Sequence, residues 1–372
     1  LLIMEISFEQ FQELFQIAFS QGNAPDRQQA ALNTLYQLKE QIPAQYLFFC
    51  ARIVLEKEVS DADAFKAIVN INSILKQTRF NSYDMIQEIW MSLPEQIRQE
   101  LKKALLRGIM FSDQNIINPS ASILALIAQI EFPTDWPDFL ENLQQVCQFS
   151  LLGVVETFIC TIAAPKSFKP RYFKSVLLAF NAVITLSQNI LQGDVDIALK
   201  IKAVHLLSQA VCKKSFAHCF RQNPQVIQAT TALILSHFAV EDQNLHQELY
   251  NFLKYLFQRF LVSTLESPLP EIAQTVAKDL TESPEAFRKM AIMFLIKCAQ
   301  FEMDNKDLTK PSFVQTCAGT FYGPLLAFLP YLEEVNENSV DVKDSLGYCT
   351  YRLLRIYSKI NVQNEEYMQL IY

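Results

Sequence analysis

Seven glycines in 372 residues leave this chain few positions where the backbone can take a positive φ. Ordinary proteins use glycine at ~7% of positions. Two-residue hairpins, nucleotide-binding loops and α/β crossovers all depend on it. The scarcity directs the chain toward helices joined by short turns, and the apolar spacing agrees. In SFEQFQELFQIAFS, residues 7–20, Phe8, Phe11, Leu14, Phe15, Ala18 and Phe19 recur at i, i+3, i+4, i+7. Half the residues are hydrophobic, enough for a large core. An all-α fold with almost no strand is expected.

The helix boundaries follow from capping residues and prolines. Ser7 stands at an N-cap position with Gln10 three residues on. Pro25 suits the first turn of a helix to about 40, and Pro43 opens one at 44–57. Ser60 and Asp61 cap a helix at 62–79, with Phe65, Ile68, Ile71, Ile74 and Leu75 as its apolar side. Further helices are expected at 83–92, 94–111 and 119–130, the last apolar nearly all round and so buried on several sides. Helix pairs then begin near residues 7, 44, 84 and 137, a spacing of about 40 that fits the HEAT repeat. The expected fold is an α-solenoid superhelix of HEAT-type pairs, since one pair cannot bury its apolar face alone. The same style continues at 170–192, 195–214, 224–239, 242–264, 283–302, 312–332 and 340–360. The breaks between them are short and polar, and no Ser/Gly-rich linker cuts the chain.

Charge and motif content exclude most chemistry. The net charge is −7, charged residues make up 19%, and no basic stripe is visible in the sequence, which argues against a nucleic-acid partner and permits a basic protein partner. His205, Cys212, His218 and Cys219 lie close in sequence, but their spacing matches no common zinc arrangement, so no metal is expected. No P-loop, G-x-G-x-x-G or G-x-S-x-G is present, and the paired acids Glu333–Glu334 and Glu365–Glu366 read as solvated charge. The acidic loop 333–344 reads as an inter-helix loop, with contact to a basic partner as its alternative. Neither a catalytic site nor a cofactor is expected. Eight single cysteines, mostly in apolar periods, read as reduced buried thiols of an intracellular protein. No run of 18 apolar residues suggests a membrane span, and LLIMEISF is too short for a signal peptide. The final EEYMQLIY stops inside a helical pattern, so the chain is expected to be part of something longer.

One stretch is distinctive: EFPTDWPDFLENL, residues 131–143, with two prolines flanking one of only two tryptophans. Together with APDRQQAALNTLYQLKEQ (24–41), DADAFKAIVNINSILKQ (61–77) and WMSLPEQIRQELKKALLRGI (90–109), it resembles the opening repeats of the importin-β (karyopherin) family. The resemblance covers about residues 5–145. It departs from the family at Ile71-Asn72-Ser73, where a Leu-Lys-Asn is usual. Residues 1–150 are thus expected to be importin-β-like N-terminal repeats, and 151–372 further HEAT-like repeats of the same solenoid.

The resemblance implies a nuclear transport receptor, importin or exportin, active in cytoplasm, nucleus and nuclear pore. Its implied partners are the small GTPase Ran in its GTP form, protein cargo and Phe-Gly nucleoporins. The alternative is a HEAT-repeat scaffold or adaptor unrelated to Ran. Three-four spacing aligns Asp26, Gln29, Asn33, Gln37 and Glu40 on one helix, and Asp63, Lys66, Asn70, Ser73 and Gln77 on another. In the family these second helices line the concave face, so the two stripes are the candidate Ran-binding surface. Pro133, Trp136 and Pro137 are expected to form a structural joint between stacked repeats, with Pro137 in the first turn of the next helix.

Overall fold

The computed structural model describes residues 6–19, 23–76, 83–164, 172–260, 268–304 and 346–359, with isolated positions between 313 and 325. The described residues contain seventeen α-helices and no strand. The chain forms two compact units, Leu1–Phe168 and Lys169–Tyr372.

The first unit holds α1 (Phe8–Phe19), α2 (Pro25–Gln41), α3 (Pro43–Leu55), α4 (Asp61–Leu75), α5 (Tyr83–Ser92), α6 (Glu95–Gly108), α7 (Gln114–Glu131), α8 (Phe139–Val146) and α9 (Leu151–Ala163). Its caps follow the sequence closely. At the start of α1 the Ser7 amide donates to Gln10 Oε1 (2.9 Å) and the Gln10 amide to Ser7 Oγ (3.3 Å), a reciprocal capping box. Ser60 Oγ accepts from the Asp63 amide at α4, and Pro25 and Pro43 open α2 and α3.

Helices α1 and α2 pair, as do α3 and α4, then α6 and α7. First helices stack on first helices (α3 on α6) and second on second (α4 on α7, α7 on α9), the HEAT arrangement. The third pair therefore begins at Glu95 and not near 84, and α5 is an inserted helix before it. Helix α7 starts five residues before Pro119. Asp113 caps it, accepting from the Asn115 amide at 2.8 Å. Pro119 forgoes one backbone bond inside the helix, tolerated because α7 is buried along most of its length.

Gly108 and Gly153 lie inside helices and serve packing, not turns. Gly108, Gly153 and Gly193 all keep ordinary φ. At Gly153 a Cβ would meet the Ile109 carbonyl oxygen at 2.0 Å and Ile109 Cβ at 2.8 Å, so α9 approaches the end of α6 through a position only glycine fits. At Gly108 the obstruction is the Ser120 side chain, Oγ at 2.3 Å and Cβ at 3.0 Å, with no backbone atom among the nearest contacts. Gly153→Ala is therefore expected to cost ~1–3 kcal/mol by overpacking, and Gly108→Ala less. Urea unfolding followed by tryptophan fluorescence reads this directly, because Trp90 and Trp136 both lie in the first unit. A larger loss from Gly108→Ala would contradict the packing argument.

The second unit holds α10 (Phe173–Gln192), α11 (Ile197–Cys212), α12 (Lys214–Gln222), α13 (Pro224–Ser236), α14 (Gln243–Arg259), α15 (Leu269–Glu282), α16 (Glu285–Asp304) and α17 (Leu346–Lys359). Helices α11, α14, α16 and α17 stack in series as second helices. Helices α9, α12 and α15 lie in stretches where no helix is expected from the sequence. Helix α9 is apolar over most of its length, and Lys213 alone separates α12 from α11. The residues from Lys174 to Gln192 of α10 are long and apolar enough to cross a membrane, but half of that stretch is buried, and α10 packs on α11, α12 and α13 as a core helix. Phenylalanines form the core: Phe180 meets Phe220 edge-on at 4.8 Å and Phe257 stacks on Phe313 at 4.2 Å. His246, buried, stacks on Phe287 at 3.9 Å. Among the described residues no three His, Cys, Asp or Glu side chains converge, and His205 instead faces Glu248 at 3.3 Å. The paired acids and loop of 333–344, and Glu365–Glu366, lie outside the described residues.

Candidate functional site

The two stripes on α2 and α4 have different fates. On α2, Asp26, Gln29, Asn33, Gln37 and Glu40 are all exposed, and Gln29 Nε2 donates along the stripe to Asn33 Oδ1 at 3.0 Å. On α4, Asp63, Lys66, Asn70 and Ser73 are half-buried and engaged within the fold. Lys66 Nζ donates to the Phe19 carbonyl at the end of α1 (2.7 Å), a cation on a helix C-terminus. Tyr46 Oη of α3 donates to Asn70 Oδ1 at 3.0 Å, and Lys39 Nζ of α2 donates to Ser73 Oγ at 2.8 Å. Asp63 holds the α4 cap, accepting from Ser60 Oγ at 2.7 Å. These side chains bracket the first two repeats together. Gln77 lies outside the described residues.

The solvent-facing ridge of α4 instead runs through Ala62, Phe65 and Val69, one position N-terminal to the stripe and hence about 100° around the helix. Phe65, assigned to the core by its spacing, is 39% exposed, and Val69 is 41% exposed. On α2, Tyr36 is 62% exposed. It lies three residues after Asn33, so the stripe itself was the signal that could have included it. An exposed surface of amides, one tyrosine and apolar side chains suits a protein partner better than a small ligand, since aromatic anchors within polar surroundings dominate such interfaces.

A second exposed feature lies between the first helices α6 and α8. A groove of about 560 Å³ is lined by Leu106, Met110, Phe111, Val146 and Phe149, with Lys103 and Arg107 at its edge. Phe149 is 70% exposed, the largest exposure among the apolar side chains described.

Pro133, Trp136 and Pro137 all fall in the turn between α7 and α8; α8 begins at Phe139, two residues after Pro137. The Phe132–Pro133 peptide bond is cis. Trp136 is 3% exposed and packs against Phe139 at 4.9 Å between ring centres. Lys102 Nζ of α6 lies 4.8 Å from the centre of its ring. The same lysine forms an ion pair with Glu131, whose side chain is 1% exposed. Glu131 also accepts from Trp90 Nε1 of α5 (2.7 Å) and Arg98 Nη1 of α6 (3.1 Å). Both tryptophans of the chain therefore sit on one buried carboxylate network. None of this was legible in the spacing, because the partners come from four elements.

No family model matches the sequence, and no curated protein matches it. Solved structures do. The Kap95:Nup1 complex superposes with a TM-score of 0.73 at 13% identity, covering 98% of this chain and 43% of that one. Yeast importin-β (Kap95p) gives 0.72 at 13% identity, with 98% and 43% covered. Kap95p bound to RanGDP, in which binding switches the Ran loops to the GTP-bound conformation, gives 0.67 at 14% identity, with 98% and 42% covered. This chain thus spans less than half the length of the structures it matches. In fold, the chain is an α-solenoid of HEAT-type helix pairs of the importin-β kind.

Proposed function

We propose that this chain acts as a nuclear transport receptor: a binding protein, not an enzyme, that takes Ran in its GTP form on its first repeats and carries protein cargo between cytoplasm and nucleus. The observation that carries the reading is the superposition on Kap95 structures over 98% of the chain, one of them solved with Nup1 and another with Ran. In this reading residues 1–150 supply the Ran surface and 151–372 continue as further repeats. The docking surface is the exposed face of α2 (Asp26, Gln29, Asn33, Tyr36, Gln37), joined on α4 by Phe65 and Val69. Lys66, Asn70 and Ser73 stand at its margin and hold the two repeats in register. The apolar groove of α6 and α8, with Phe149 at its edge, suits weak capture of the phenylalanines of Phe-Gly nucleoporins. No cofactor or metal enters the mechanism.

A stable interface must bury on the order of 1,200 Å² or more, with a few aromatic side chains dominating. The test is retention of the protein on immobilised Ran loaded with a non-hydrolysable GTP analogue, against Ran loaded with GDP. Preferential binding to the GTP form is expected, weakened tenfold or more by Tyr36→Glu with Phe65→Glu, with the tryptophan-monitored unfolding transition unchanged. Equal retention on both forms, or none, would return the protein to the scaffold alternative.

A further inference from the structure

The second helices of the second unit carry an excess of positive charge in a chain whose net charge is −7. Taken together, α11, α14, α16 and α17 carry ten Lys and Arg against four Asp and Glu, although α16 by itself is balanced at three and three. Part of this charge gathers on one groove. Between α14 and α16 lies a cavity of about 640 Å³ whose rim carries Lys254, Lys289 and Lys297, with Glu285 the one acid among its lining residues. Met290 and Met293 supply apolar surface between the cations, and Asn251 supplies an amide. Among the described residues none of the three lysines forms an ion pair. Lys254 Nζ rests 4.0 Å from the centre of the ring of its neighbour Tyr255, which does not itself line the groove. Desolvation, and then the charge of Lys254, hold Lys297 below the ordinary lysine range. A bound carboxylate would relieve that repulsion.

We infer that this groove binds an acidic protein segment, one that carries an apolar side chain between its carboxylates. Lys289 and Lys297 are eight residues apart on α16, about 12 Å along the helix. An extended segment covers that distance in about four residues. Two acids at that separation meet the two ammonium groups, and an apolar side chain between them falls on Met290 and Met293. Methionine adapts its shape to such contacts. A nucleic-acid strand fits less well. It would bring a charge at every residue to a net acidic protein, and single-strand binders present open aromatic faces, whereas Tyr250 and Phe294 beneath this groove are buried. The inference concerns a different unit from the Ran surface and stands independently of it.

The test is fluorescence anisotropy with the intact chain and four labelled probes: a peptide repeating Glu-Glu-Leu, the same peptide with Lys for Glu, an all-Glu peptide, and an oligo-deoxythymidine strand. The Glu-Glu-Leu peptide is expected to bind tightest and to weaken as salt rises. Lys254→Glu with Lys297→Glu is expected to weaken it tenfold or more, and the milder Lys254→Gln with Lys297→Gln by less, both with unchanged helicity by circular dichroism. Tyr36→Glu with Phe65→Glu should leave it untouched. No binding, or binding that survives charge reversal, would overturn the inference. Tighter binding of the oligonucleotide would overturn it in favour of a nucleic-acid partner.

Discussion

Replacing Glu131 with alanine is expected to destabilise the first unit by ~3–5 kcal/mol, the usual cost of leaving a buried charge without its partner. The carboxylate is 1% exposed and holds Lys102, Arg98 and the Trp90 indole N–H. Arg98 retains Glu95 as a second direct partner, whereas Lys102, itself buried, makes its direct ion pair with Glu131 and feels Glu95 only at longer range. The loss should therefore trace mainly to Lys102. Removing both charges tests this: Glu131→Gln with Lys102→Met is expected to lose less than Glu131→Ala alone, because no uncompensated ion remains. Trp90 and Trp136 both touch the network, so tryptophan fluorescence during urea unfolding reports on this site while unit 2 contributes none. A Glu131→Ala chain within about 1 kcal/mol of the parent would mean that the network contributes little net stability, as many ion pairs do.

The Trp136→Ala substitution is expected to cost a similar ~3–5 kcal/mol, through the cavity left by a large core side chain. Its ring is buried against Phe139 and covered on one face by the Lys102 ammonium, so no partner reaches it in the folded protein. Stability should fall before any binding changes, with Trp90 remaining as the fluorescent reporter. Unchanged melting with lost partner binding would instead make Trp136 a contact residue. The effects of Trp136→Ala and Glu131→Ala should not add, because Lys102 touches both groups.

The sequence by itself determined the helical class, the first two helix pairs and the starts of most helices in the first unit. Those properties rest on local physics: glycine scarcity, the three-four recurrence of apolar residues, and caps such as Ser7 with Gln10 and the Ser60 N-cap. Its local errors have local causes. Period alone cannot say what a helix packs against, so α5 resembles the start of a pair, and α9, with Glu156 its one charged residue, has few polar residues to mark its turns. What the tertiary structure decided is which side of each helix is free. A rotation of one residue on α4 turned Lys66 and Asn70 inward, as brackets to α1 and α3, and left Phe65 and Val69 in solvent. Packing also joined residues far apart in sequence. It put Trp90, Lys102, Glu131 and Trp136 on one buried network. It also collected Lys254, Lys289 and Lys297 into a basic groove where the sequence showed no basic stripe. Charges on separate helices become a site only when stacking sets their distance, and stacking depends on the shape of the whole core rather than on any stretch of chain.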